Sequence, residues 1–177
     1  MKNTIVSAAM LLSFSAISVN ANAAEIQFSG AITASTCYLE GNDGDLVMKL
    51  PTFGINDVTE VGQHNGVINL SAKAVCAEGT DGLVTMAMKP NPNSFEGKVL
   101  KNTHTGQAKA AGVGIVVMGD DRQPMDFSQG DAAKITAPMT GGVANIMVSA
   151  TYAKDGSGDD VTAGEVAAVL PFVMTYM

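Results

Sequence analysis

The sequence predicts an all-β protein, built as an antiparallel sandwich of about seven to nine short strands. Apolar and polar residues alternate with a period of two over much of the chain, which is typical of strands with one buried face. Turns rich in Gly, Asn and Asp separate these stretches, and no long stretch has helical periodicity. Aromatic residues make up only 5% of the chain while 19 of its 177 residues are glycine, which favours a strand-and-turn protein of small residues.

The alternation marks six stretches along the chain, and turn-forming residues lie between them. The apolar positions, in order, are Ile26, Phe28, Gly30 and Ile32; Leu46, Met48 and Leu50; Ile68, Leu70 and Ala72; Val84, Met86 and Met88; Val113, Ile115 and Val117; and Ile146, Val148 and Ala150. The turns are predicted at 41–44, 78–82, 90–93, 119–121, 141–142 and 155–160. No repeat or low-complexity linker interrupts this pattern, so one domain is expected.

The first 23 residues are predicted to be a signal peptide that is removed on secretion. Lys2 precedes an apolar run from Ile5 to Val19, and Ala21-Asn22-Ala23 is the small-x-small pattern that a signal peptidase accepts. A membrane anchor is the alternative, but spanning takes about 20 apolar residues, and serines interrupt this shorter run. We expect the mature chain to begin at Ala24, with cleavage after Ala21 as the other possibility.

Export determines how the two cysteines are interpreted. Cys37 and Cys76 are an even pair without a CxxC spacing or clustered histidines, so they are predicted to form one structural disulfide. Closing a loop of this length contributes about 3 to 4 kcal/mol to stability in the chain-entropy model.

Two segments differ from ordinary sandwich strands. Residues 24–34 precede the first cysteine and carry apolar residues at every second position. In the last segment, Val166, Ala168, Leu170, Phe172, Met174 and Tyr176 share one face, and the opposite face is also largely apolar. Such a strand would leave an apolar edge that no later sequence covers. Pro171 lies inside this segment, where it cannot donate a ladder hydrogen bond.

Four features in register resemble the type 1 fimbrial (pilin) subunits of the chaperone-usher pathway. They are the two cysteines 39 positions apart, Gly30 seven residues before Cys37, Gly164 fourteenth from the C-terminus, and the penultimate Tyr176. The strand and Asp-containing turn from Val113 to Arg122 also fit, so the resemblance covers nearly the whole mature chain.

The resemblance implies an immunoglobulin-like antiparallel sandwich that is incomplete because it lacks its final strand, and that a donor strand completes. A periplasmic pilus chaperone would lend this strand, and at the outer-membrane usher the N-terminal extension of a neighbouring pilin subunit would replace it. The product is a fimbria on the cell surface, most simply a homopolymer. Residues 1–23 would then be the signal peptide, 24–36 the N-terminal extension and 37–177 the pilin domain.

Two sets of site residues follow from the resemblance. The donor strand would present Ile26, Phe28, Gly30 and Ile32, with Gly30 at a point where the groove is too shallow for a side chain. The strand that lines the groove and that the chaperone recognises would contribute Gly164, Leu170, Phe172, Met174 and Tyr176. The alternatives are a bulge for Gly30, a turn for Gly164 and an ordinary strand-end aromatic for Tyr176.

Other classes of function are disfavoured. A formal net charge of -7 does not suit nucleic-acid binding. His64 and His104, the two histidines, are predicted to be exposed loop residues, and no nucleophile elbow is present. The acidic run from Asp155 to Asp160 is predicted to be a solvated turn, because it lacks the ligand pattern of a calcium loop. We therefore expect that the chain is not an enzyme and binds no cofactor or metal. We expect it to be a structural fimbrial subunit that supports adhesion. The alternatives are a minor or adaptor pilin and a non-polymerising, immunoglobulin-like periplasmic binding module.

Overall fold

The fold was obtained as a computed structural model, which describes residues 24–28, 30–32, 37–40, 46–63, 65–77 and 79–177. For residues 24–32 the description is of the backbone and its pairing. The described residues form thirteen strands and two short 3₁₀ helices, Ile55–Asp57 and Phe127–Ala132, so the predicted all-β class is confirmed. The proposed signal peptide lies outside the described residues.

The strands are numbered in chain order. They are β1 (Ala24–Phe28), β2 (Gly30–Ile32), β3 (Tyr38–Leu39), β4 (Leu46–Leu50), β5 (Ile68–Val75), β6 (Gly82–Met88), β7 (Phe95–Glu96), β8 (Val99–Lys101), β9 (Val113–Met118), β10 (Lys134–Thr140), β11 (Val143–Lys154), β12 (Ala167–Val169) and β13 (Phe172–Tyr176). Thirteen exceeds the seven to nine expected, because several pairings involve strands of only two or three residues.

These strands form two sheets. The larger sheet has the order β2-β13-β6-β10-β11-β9-β8-β7, and β5 joins it by pairing with β11 and β3. The smaller sheet has the order β12-β1-β4. All pairs are antiparallel except two, since β1 runs parallel to β12 and β2 runs parallel to β13. Both exceptions involve the N-terminal extension.

Alternation explains the burial of several strands. In β4 the side chains of Leu46, Met48 and Leu50 are buried while those between them are exposed, and β10 shows the same pattern over seven residues. Each such strand has one face on the core and one toward water.

β9 was predicted to be half-buried, and that prediction is wrong. All six of its residues are buried, because Val116 and Met118 on its second face pack with Val99 and Ala153 in a small separate cluster. The second half of β11 is also buried on both faces, and its Ala153 belongs to this cluster. Alternation of side chains gives the phase of a strand, but it does not reveal what lies over the second face.

One hydrophobic core joins the two sheets. It contains Met48 and Leu50 from the smaller sheet together with Met86, Ile115 and Ile146 from the larger sheet. Within the described ranges, no helix combines the length and the apolar character that crossing a bilayer requires. The last segment of the chain also contributes to this core, through Ala168, Leu170, Phe172 and Met174.

Candidate functional site

The candidate site is the space between β4 on one side and the β12–β13 segment on the other, which we call the groove. Alternate residues of the bordering strands are buried along it: Leu46, Met48, Leu50, Ala168, Leu170, Phe172 and Met174. In the structure, β1 and β2 of the same chain occupy the groove. The edge that the sequence predicts to be uncovered is thus covered by the chain's own N-terminal extension.

β1 is the central strand of the smaller sheet. It pairs with β4 from Ala24↔Leu50 to Phe28↔Leu46, and with β12 from Glu25↔Ala167 to Gln27↔Val169. β4 and β12 have no other strand neighbour among the residues that the structure describes. The N-terminal extension therefore supplies the only strand pairing that either of these two strands makes there.

The N-terminal extension keeps one register along the whole groove. Each residue that pairs with β12 or β13 lies 142 positions before its partner, from Glu25↔Ala167 in β1 to Ile32↔Met174 in β2. This pairing with β12 and β13 is parallel, whereas β1 pairs antiparallel with β4, as the strands of an immunoglobulin-like sandwich do. Parallel ladders are slightly less stable per residue than antiparallel ones.

The expected donor-strand residues fall on these two strands. Ile26 pairs with Ala168 and with Met48, and Ile32 pairs with Met174. Gly30 pairs with Phe172, whose side chain is buried. The side chains of Ile26, Phe28 and Ile32 lie outside what the structure describes, so their entry into the groove stays a prediction.

The last segment divides into two strands at Pro171, where the sequence suggested one. β12 belongs to the smaller sheet and β13 to the larger one, so the chain passes from one sheet to the other between Val169 and Phe172. Pro171 lies in this break, where a ladder amide is not needed, and its carbonyl accepts a hydrogen bond from the Lys89 amide at 2.7 Å. Leu170, Phe172 and Met174 are buried, while Tyr176 is half-buried.

Gly164 lies three residues before β12 and contacts backbone closely. A Cβ atom at this position would lie 2.3 Å from the Ala108 carbonyl oxygen and 2.5 Å from the Ala110 nitrogen. Both distances are too short for any side chain, so the packing of the 108–110 segment requires glycine here. This close approach accounts for Gly164 without a partner protein.

The disulfide between Cys37 and Cys76 is present. Cys37 immediately precedes β3 and Cys76 immediately follows β5, which pair with each other. The bridge therefore fixes the N-terminal extension to the larger sheet just beyond the last described residue of β2. The predicted pairing is confirmed.

Asn102 is a residue that sequence reasoning missed. The residue is only 8% exposed, and its side chain makes four hydrogen bonds. The amide nitrogen donates to the carbonyls of Ala110 at 2.9 Å and Glu165 at 2.8 Å, and the amide oxygen accepts from the backbone N–H groups of His104 and Ala167, each at 3.0 Å. A lone polar residue after a strand gives no periodic signal, so the sequence offered no means of finding it.

A small cavity of about 80 Å³, lined by both polar and apolar groups, lies beside the start of β12. Phe53, Val58, Tyr152, Val161 and Val166 contribute to its lining. The rings of Phe53 and Tyr152 meet edge to face with their centroids 5.2 Å apart. Burial raises the pKa of Tyr152 to about 12, since the phenolate would lose its hydration.

The remaining polar candidates are dispersed. His104 was expected to be exposed, but it is half-buried and its Nε2 lies 3.1 Å from Glu165 Oε2. His64 lies outside the described residues. In the acidic run, the Asp155 carboxylate accepts from the Ser157 amide at 2.9 Å, as in a local turn. In the part of the chain that the structure describes, no group of His, Cys, Asp and Glu side chains is arranged to hold a metal ion.

One comparison with known proteins identifies a family. A search of curated proteins finds no match. Among solved structures, the chain is similar to the CupB6 tip adhesin of Pseudomonas aeruginosa, with 16% sequence identity and a TM-score of 0.48. That similarity covers 82% of this chain and 39% of the adhesin, so the chain spans about two fifths of its length. The profile of the fimbrial protein family matches residues 26–177. The chain therefore belongs to the fimbrial protein family.

Proposed function

We propose that the chain is a structural, non-enzymatic subunit of a surface fimbria that supports adhesion and polymerises by donor-strand exchange. In this account residues 24–36 are the N-terminal extension that enters the groove of a neighbouring subunit, and residues 37–177 form the pilin domain. Residues 1–23 direct the chain to the periplasm, where a pilus chaperone fills the groove until the outer-membrane usher brings in the next subunit.

The observation that carries the proposal is the position of β1. It is the central strand of the smaller sheet, yet it belongs to the N-terminal extension, outside the disulfide-bonded part of the chain. Without it, β4 and β12 would lose their strand partner in the described structure and expose unpaired backbone groups beside an apolar floor. Strand addition satisfies both deficits at once.

The energetics are favourable for a fibre. An apolar side chain that becomes fully buried in the groove contributes about 1.5 to 3 kcal/mol, so Ile26, Phe28 and Ile32 together supply several kcal/mol. The backbone ladder adds roughly 0.5 to 1.5 kcal/mol for each net hydrogen bond. A strand from another chain can provide the same groups.

Exchange also requires that the chain's own N-terminal extension leave the groove. The parallel pairing of β2 with β13 supports this step, because an antiparallel strand would offer a somewhat stronger ladder beside β13. At β1 a reversed strand would gain nothing, since it would become antiparallel to β12 but parallel to β4. Gly30, opposite Phe172, lies within the part that has to move. Gly164, Leu170, Phe172, Met174 and Tyr176 would serve as the chaperone-recognised side of the groove.

A second candidate is a self-contained monomer that never polymerises. The occupation of the groove by the chain's own β1 and β2 favours it, because this pairing leaves no vacant edge between β4 and β12. Such a protein would act as a binding module of the periplasm or the cell surface.

Deletion of residues 24–34 distinguishes the two candidates. We would prepare the chain beginning at Ala24 and a truncated chain beginning at Ser35, and add a labelled peptide of residues 24–34. We expect the truncated chain to bind the peptide and to accept the N-terminal extension of a full-length chain, but to donate to none. A peptide of scrambled order is the control.

The proposal would be contradicted if the truncated chain were a stable monomer that ignored the peptide. A full-length chain that stayed monomeric at every concentration and never joined the truncated chain would establish the second candidate instead.

A further inference from the structure

We propose that Asn102 is a positioning residue for strand addition, because it holds the far edge of β12 so that the near edge can pair with a donor strand. This inference rests on the proposed function of the groove. It concerns the side of β12 that the donor strand does not touch.

Ala167, the first residue of β12, is bonded to residues 102 and 103 through both of its backbone groups. Its N–H donates to the Asn102 side-chain oxygen at 3.0 Å. Its carbonyl accepts from the backbone N–H of Thr103 at 2.8 Å and from the Thr103 hydroxyl at 3.0 Å. The backbone edge at Ala167 is thus fully engaged on that side.

This engagement determines what β12 presents to the groove. In a strand, the N–H and C=O of one residue point to the same side, and those of the next residue point to the opposite side. With Ala167 directed at 102 and 103, the backbone groups of Ala168 are directed at the groove. Ala168 is the residue that pairs with Ile26 of β1.

Asn102 also fixes the approach to β12. Its amide group donates to the carbonyl of Glu165, two residues before the strand, and to that of Ala110 on the neighbouring segment. The Glu165 N–H and carbonyl bond the same segment through Ala108 and Ala110, at 2.6 and 3.1 Å. One side chain therefore joins the end of β8, the 108–110 segment and the start of β12.

Asn102 is among the three buried polar residues of the described structure, with Ser149 and Thr151. Truncation would remove the side-chain partner of the Ala110 carbonyl and of the His104 and Ala167 N–H groups, in a buried site, while the Glu165 carbonyl would keep its bond from the Ala110 N–H. We expect the local structure around β12 to open while the rest of the core stays closed.

The test compares hydrogen exchange in Asn102→Ala and in Ser149→Ala, using the whole chain from Ala24. Ser149 is a matched buried control, because its hydroxyl bonds Asn69 at 2.7 Å in the β5–β11 pair, away from β12. We expect Asn102→Ala to speed amide exchange in 167–169 and 24–28 by about tenfold or more. Exchange in β9 should stay unchanged, and Ser149→Ala should leave both segments near the wild-type rate.

Displacement of the N-terminal extension gives a second readout. A labelled peptide of residues 24–34 should replace it faster in Asn102→Ala but dissociate faster as well, by about tenfold. Thr103→Ala removes only one exposed hydroxyl contact and should shift the same segments in the same direction by a smaller factor. This milder variant decides the matter if Asn102→Ala does not fold.

Unchanged exchange in β12 and β1, or an equal increase over every strand, would overturn the inference. Failure of the proposed function would look different. In that case local exchange would respond to Asn102 as expected, yet chains would never donate strands to one another.

Discussion

At the scale of single residues, Tyr152 links burial to a titration that can be measured. Its phenol lies in the cavity beside Phe53, and burial raises its pKa from 10.0 to about 12. The folded chain therefore holds the phenol proton more tightly than the unfolded chain. The stabilisation is fully present below about pH 10 and is lost as the pH rises through about 12.

We predict that the free energy of unfolding falls between these two pH values by at most about 3 kcal/mol because of this group. Denaturant unfolding of wild type and Tyr152→Phe at a series of pH values would measure it. The Phe variant retains the ring contact with Phe53 and should lack this part of the alkaline loss. Parallel pH profiles for the two proteins would refute the assignment.

Gly164 gives a prediction about packing. In Gly164→Ala, the new Cβ would meet backbone atoms of residues 108 to 110, which cannot rotate away. We expect a destabilisation of about 1 to 3 kcal/mol, measured by denaturant unfolding of the chain without any partner protein.

Gly119→Ala is the matched control for this substitution. Its backbone is outside the left-handed region, and the nearest atom to an added Cβ, on the Ile135 side chain, lies 3.4 Å away. The control should change stability little. If Gly164→Ala were equally mild, a role limited to chaperone recognition would explain this glycine better than packing does.

Some residues could be predicted from the sequence and others could not. The predicted export of the chain and its two cysteines were enough to predict the Cys37–Cys76 disulfide, because two cysteines allow only one intramolecular pairing. Asn102 gave no signal, since its partners are backbone groups of segments distant in sequence. His104 was placed wrongly, because its partner Glu165 lies 61 positions further along the chain.

At the scale of elements, the boundary between β12 and β13 shows how proline is accommodated. The sequence located the apolar face of this segment correctly, since alternate residues from Val166 to Met174 are buried. It did not reveal the break, because the change of sheet at Pro171 depends on which strands lie on either side. Alternation also fixed the phase of β4 and β10, but not the double burial of β9.

Gly30 provides the prediction at this scale. It pairs with buried Phe172 at the start of β13, so Gly30→Lys would bring a long charged side chain to the edge of an apolar strand. A labelled peptide of residues 24–34 that carries this change can be compared with the unchanged peptide. We expect the changed peptide to displace the N-terminal extension roughly tenfold more slowly.

Gln27→Lys in the same peptide is the control. Gln27 pairs with Val47 and Val169, whose side chains are both partly exposed, so the same charge should have little effect there. Equal rates for the Gly30→Lys and unchanged peptides would leave Gly30 as a passive bulge.

At the scale of the whole molecule, the family match and the sheet topology concern the same stretch of chain. The fimbrial protein family covers residues 26–177, which includes both the N-terminal extension and the disulfide-bonded body. The extension in turn occupies the middle of a sheet formed with the last strands. From the sequence, the first and the last strands were both predicted to take part in strand pairing. That they pair with each other within one chain was not predicted.

The central claim is that the groove takes a strand of this sequence from a second molecule. Its most direct test places a photo-crosslinking residue at position 27 in unlabelled chains, mixes them with isotope-labelled chains of wild-type sequence, and maps the crosslinked peptides by mass spectrometry. The account predicts crosslinks between unlabelled and labelled chains, to residues 46–50 or 166–176, that increase as the chains assemble. Crosslinks to these residues within single chains only, at every concentration and time, would contradict it.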